Sequence, residues 1–251
     1  MKKINRYYNK DMINITVPES WLEMSQYDLK TLLRLISNPD IEAAHIPVLF
    51  ILKTAKIKVL KFDNHHGSAV VRIHKTYLEI ESQELAALTC KFSWLLDFPE
   101  YPLRLGRIKR AIARRPDLAD FTFSEYIVLD NLYQGYLQTK DLELIHKMVP
   151  VMYIEGKPNN LGAWSCFFWF TSFKIWAAKR WSEFFQPAKE KQSFSSLGSL
   201  IRDAIDSQIR ALTKGDITKE DQILNMPLHR ALTELNALAR ESREFKQKLK
   251  K

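Results

Sequence analysis

Glycine is scarce in this chain, with 7 in 251 residues. That disfavours glycine-dependent phosphate loops and sheet-rich folds built on many tight turns, and favours helices joined by short polar connections. Cysteine is scarcer still. The two present, Cys90 and Cys166, sit far apart within apolar helical patterns. They read as buried free thiols of a reducing compartment rather than a disulfide framework, so a cytoplasmic location is expected. Long apolar runs are missing too. The most apolar stretch, 161–173, ends at Lys174, short of the roughly 20 residues a helix needs to cross a bilayer, so it predicts a buried helix and no membrane partner. The N-terminal basic residues are followed by Asn9, Lys10, Asp11 and Asn14, which interrupt any export-signal core.

Recognisable catalytic patterns are absent as well. His65 and His66, with His74 nearby, fall in a turn cluster without the cysteines or spaced carboxylates of a metal site. His45, His146 and His229 stand alone, away from any nucleophile-elbow signature. Cys166 is followed by Phe167, Phe168 and Trp169, an apolar setting that raises a thiol pKa and makes a poor nucleophile. The pairs Glu79 with Glu81 and Asp203 with Asp206 lack an acidic neighbourhood for paired acid and base work. No catalytic, cofactor-binding or metal-binding residue is therefore expected, and the chain reads as a binding protein rather than an enzyme.

What remains is a composition suited to a packed core: 46% hydrophobic, 12% aromatic and 27% charged residues, with a formal charge of +9. The charge attracts nucleic acid, anionic surfaces or acidic proteins without selecting among them. Ser25 and Asp28 form a capping box before Leu29, Leu32, Leu33 and Ile36, which predicts a helix ending at Asn38-Pro39. A second helix is expected over about 40–56, with Pro47 in its first turn or at a kink. Valine, isoleucine and tyrosine then dominate two runs around the DNHHG turn, predicting a β-hairpin within 57–80. Ser82 is read as the cap of a helix through Leu85, Leu88, Phe92 and Leu95.

Prolines at 99, 102 and 116 mark 100–119 as a long, partly ordered loop. Thr122 and Glu125 form another capping box, ahead of Tyr126, Leu129, Tyr133, Tyr136 and Leu137, and Thr139 is read as the cap of the next helix. These two helices predict an antiparallel pair. A long helix follows over about 161–185 and is apolar all round at first, which belongs at the centre of a bundle. The polar stretch 186–196 reads as a linker. Beyond it come an amphipathic helix over 197–212, a capping box opened by Thr218, and a last helix with Pro227 in its first turn and a stripe of Leu228, Leu232, Leu235 and Leu238. The whole predicts a mainly α fold: a helical bundle over 1–185 with a small β-hairpin insertion, and a C-terminal helical extension over 186–251.

Two surfaces are candidates for binding. The run RLGRIKRAIARR places Arg104, Arg107, Lys109, Arg110, Arg114 and Arg115 together with no intervening acid. It is able to neutralise phosphates with counterion release, or to dock on an acidic protein surface. The second is Trp176, Arg180 and Trp181 together with the terminal leucine stripe, which needs a partner within the chain or outside it. The aromatics before Lys174 read as packed core, whereas the charges at Lys179 and Arg180 pull part of the following surface toward water.

Several stretches resemble morphogenesis proteins of tailed phages and prophages: VPESW at 17–21, YIVLDNLYQGYLQTKD at 126–141, FFWFTSFKIWAAKRWSEFF at 167–185, and ALTKGDITKEDQIL at 211–224. The resemblance implies a role in virion or tail assembly, similar to a tail assembly chaperone, with virion or tail proteins or a second copy of the chain as partners. It carries over no catalytic residue. The competing expectation is a nucleic-acid-binding protein that uses 104–115 and the basic C-terminus.

Overall fold

The computed structural model describes residues 17–63, 67–185 and 197–249, which divide into two compact units with the chain boundary between Phe98 and Pro99. The boundary thus precedes the arginine-rich run instead of falling near 186. The expected linker at 186–196 and the histidine pair His65–His66 lie outside the described residues, as do the side chains expected at Ser82, Leu85 and Leu88.

In the N-terminal unit, helix α1 (Gln26–Ile36) starts with the capping box as expected, Ser25 accepting from the Asp28 N–H while Asp28 accepts from the Ser25 N–H. Its leucines at 29, 32, 33 and 35 are buried. Helix α2 (Ile46–Thr54) is shorter than expected, because residues 43–45 form a separate 3₁₀ turn and Pro47 takes the first helical turn, where a missing N–H costs nothing. Strands β1 (Ile57–Asp63), β2 (Ser68–Ile73) and β3 (Thr76–Glu81) follow as an antiparallel meander. The expected hairpin is therefore corrected to a three-stranded sheet. Its second apolar run folds back on itself at His74, whose φ of 55° closes a turn without glycine. Helix α3 (Ser82–Cys90) ends before Phe92, and Cys90 is exposed, contrary to the expectation of a buried thiol.

The C-terminal unit begins with a second correction. The expected loop at 100–119 contains β4 (Arg107–Ile108) and β5 (Ala111–Ala113), which join β6 (Tyr153–Ile154) in another three-stranded antiparallel sheet. These strands are too short to leave a periodic pattern, and the β5 pairing partner lies some forty residues downstream. Among the described residues the fold is thus helical with two small sheets, not a single bundle carrying one hairpin.

Helix α4 (Phe123–Thr139) starts on the Thr122–Glu125 capping box and packs beside α5 (Leu142–Met152). Thr139 does not cap α5. Its hydroxyl donates to Gly135 O, and Asp141 accepts the Glu143 N–H instead. Helix α6 (Asn160–Arg180) is the apolar centre, with Cys166, Trp169, Phe170 and Phe173 fully buried. Burial pushes the Cys166 thiol well above its ordinary pKa, leaving it unreactive. Tyr126, Tyr133 and Tyr136 on α4 meet Phe167, Phe170 and Phe173 at ring separations of 5.0–6.3 Å, the offset and edge-on geometry that aromatic rings favour.

Helix α7 (Leu197–Thr213) lies against α8 (Glu220–Leu224) and α9 (Leu228–Lys248). Thr218 does not open a capping box here: Asp216 accepts from its N–H and hydroxyl, and with Lys219 alongside these contacts hold the Asp216 carboxyl down to about 2. Pro227 stands just before α9, where Leu228 N–H donates to Phe121 O and Phe123 N–H donates to Met226 O, both at 2.9 Å. That bridge stitches the last helix to the start of α4. None of the described helices is long and apolar enough to cross a membrane.

Candidate partner-binding surface

The structure splits the arginine-rich run in two. Arg104 is half-buried with its guanidinium 5.5 Å from the centre of the Trp169 ring. Arg114 lies 3.7 Å over the Phe121 ring and pairs with Glu125 at 2.6 Å and Asp120 at 3.4 Å. Arg115 pairs with Asp117 at 3.1 Å. The acids that pair with Arg114 and Arg115 lie just beyond the run in sequence, so part of an uninterrupted basic stretch is neutralised within the chain, Arg114 half-buried and Arg115 at the surface. Arg107, Lys109 and Arg110 remain exposed on β4 and at the β4–β5 turn.

Partial burial opposes ionisation of Glu125, but the Arg114 guanidinium and the Thr122 N–H outweigh it and hold its carboxyl below the ordinary glutamate range. A depressed native pKa contributes stability that is fully present above the unfolded-state pKa and is lost as pH falls through the native one. The Glu125→Gln variant is therefore expected to melt below the parent protein by a constant margin above about pH 5, with the gap closing below about pH 4. Thermal unfolding across pH 3–7 checks this, and a gap that widens in acid would contradict it.

The second candidate surface is largely closed. Trp181 is 4% exposed and its Nε1–H donates to Thr233 Oγ1 at 3.1 Å, while His229 sits against both Trp176 and Trp181 and donates through Nε2 to Asp117 O at 2.6 Å. Leu228, Leu232 and Leu235 are buried and Leu238 is half-buried. The leucine stripe thus finds its partner within its own unit. Asn236 seals the end of α6 by accepting from the N–H groups of Glu183 and Phe184, and Arg243 pairs with Glu183. Arg180 stays exposed, stacked 5.5 and 5.4 Å from the rings of Trp176 and Trp181.

What the sequence did not single out is the loop facing the β4–β5 turn. Lys109, Arg110, Lys157 and Glu155 border a hollow of about 740 Å³ whose floor includes Ile108, Ala111 and Val149. Its walls are fixed by unusual backbone. Lys109 and Glu155 hold φ of 54° and 57°, and a Cβ on Gly156 would lie 2.8 Å from the Tyr153 carbonyl oxygen, so only glycine fits. A glycine followed by Lys157-Pro158 in a glycine-poor chain was the available signal. Tyr153 itself is buried, its hydroxyl donating to Leu105 O and lying 2.8 Å from Ser165 Oγ. Burial raises its pKa, so it serves as a wall and not as an acid.

Tyr153 also lines a second hollow of about 500 Å³, with Val128, Pro150 and Ile154 on its apolar wall and Ser124 and the Arg114–Glu125 pair beside them. On the outward side of the small sheet Ile112 and Ile154 face each other across β5 and β6, 46% and 59% exposed, and Arg107 is the β4 neighbour of Ile112. Among the described residues no group of three histidine, cysteine or acidic side chains is arranged to hold a metal ion. Comparison with protein families, with curated proteins and with solved structures finds no match to this chain.

Proposed function

We propose that the chain is a non-enzymatic protein-binding factor of phage virion or tail assembly, acting as a chaperone or a structural component. One observation supports it most. The aromatic cluster and the leucine stripe are consumed inside the unit, while the surface around the β4–β5–β6 sheet presents cations beside exposed isoleucines. Exposed apolar side chains next to like charges suit a protein partner, because burying them on association is favourable and the charges select an acidic one. The resemblance of the four stretches named above to phage morphogenesis proteins gives that partner its identity: a virion or tail protein, or a second copy. Mixing the purified chain with the products of its neighbouring genes is expected to yield a complex with a structural or assembly protein on gel filtration. Repeated recovery of the chain alone would overturn the proposal.

A second reading, nucleic-acid binding, draws on Arg107, Lys109, Arg110 and Lys157 staying exposed. With Arg104 half-buried and Arg114 and Arg115 already paired with acids of the chain, this surface would neutralise about four phosphates, giving a salt slope no steeper than about −4. A gel shift titrated with salt measures it.

A further inference from the structure

We infer that the basic-rimmed hollow and the neighbouring hollow that share Tyr153 together form the docking site for an acidic segment of a partner protein that also carries leucine or isoleucine. The inference rests on the protein-binding reading above and names its site and its chemistry. The rim of the first hollow carries three cations, Lys109, Arg110 and Lys157, against the one carboxylate of Glu155, and so favours an anionic occupant. Its volume of about 740 Å³ accommodates more than one side chain. The rim is held open by fixed backbone, with Lys109 and Glu155 in left-handed conformations on opposing segments and Gly156 packed against Tyr153. Non-glycine residues in that region cost energy and gather at ligand clamps and other functional sites.

The occupant is polypeptide rather than nucleic acid for two reasons. No aromatic face on these rims is offered for base stacking, since the Tyr153 ring is buried against Trp169 at 6.0 Å. The floor of the first hollow and the Val128, Pro150 and Ile154 wall of the second are apolar, as are the exposed Ile112 and Ile154. None of these interacts favourably with phosphate or sugar, whereas each gains when a leucine or isoleucine side chain covers it.

The test uses the full chain and a short fluorescein-labelled peptide of glutamate, leucine and serine, read by fluorescence anisotropy. Matching probes replace the glutamates by lysine or the leucines by serine, and an oligothymidylate serves as the nucleic-acid probe. The glutamate–leucine peptide is expected to bind best. The double variant Arg110→Glu/Lys157→Glu should weaken it by about tenfold or more, and Ile154→Ser by several-fold, with the melting temperature of the chain unchanged. Ile154→Ser keeps the site testable even if the double variant fails to fold. No binding of the glutamate–leucine peptide, equal binding to both variants, or tighter binding of oligothymidylate would overturn the site. If Arg110→Glu/Lys157→Glu still forms the complex with a neighbouring-gene product at full yield, the site falls and the assembly reading stands. If the parent chain binds the peptide through this surface but forms no such complex, the site stands and the assembly reading falls.

Discussion

Trp169→Ala is expected to lower the unfolding free energy of the C-terminal unit by about 3–5 kcal/mol, the largest effect of any single truncation considered. The indole is fully buried at the middle of α6. It meets Phe121 and Tyr153 edge-on at 6.5 and 6.0 Å, and its Nε1–H donates to Pro116 O at 2.7 Å. Truncation leaves a cavity the size of an indole, strips that carbonyl of its donor, and removes the ring over which Arg104 lies. Because Tyr153 separates Trp169 from the two hollows, the same variant should also weaken binding of the glutamate–leucine peptide. Urea unfolding measures the first effect, and a change below about 1 kcal/mol would show that the aromatic cluster is not the core of this unit.

Leu232→Ala is expected to cost about 2–5 kcal/mol in the same assay. Leu232 is fully buried, one turn from Leu228 and Leu235 on the face of α9 that the unit covers. The helix is tied at its start by the Leu228 N–H to Phe121 O hydrogen bond and further along by Asn236 and Arg243. A detachable extension would behave otherwise, since shaving a side chain from a free stripe leaves the unit's stability within about 0.5 kcal/mol of the parent. The variant therefore separates a helix that belongs to the core from one held in reserve for a partner.

The parts of this fold that sequence made visible are those encoded locally. The capping boxes at Ser25 and Thr122 are visible because cap and N3 residue stand three apart, and α6 because its apolar residues run without interruption. What was hidden depends on how the chain turns and pairs. Arg114 looked free because Asp120 and Glu125 reach it only after the chain turns through Leu118, whose φ is 55°. The β5 strand was invisible because Ile112 and Ala113 pair with β6 across the whole of α4 and α5. Both β turns that escaped notice, at His74 and Lys109, use left-handed residues other than glycine. Of the candidate site, Arg107, Lys109 and Arg110 were legible as charge, but Lys157, Gly156 and the exposed pair Ile112–Ile154 became visible only when the turn and the loop were brought together.

Partners are expected to meet the β4–β5–β6 surface while the C-terminal leucine stripe stays inside the unit. Hydrogen exchange with and without the glutamate–leucine peptide tests it most directly. Added protection at 107–112 and 153–158, with none at 228–238, is the expected pattern. Protection concentrated on 176–181 and 228–238, with the β4–β5 turn unchanged, would contradict it.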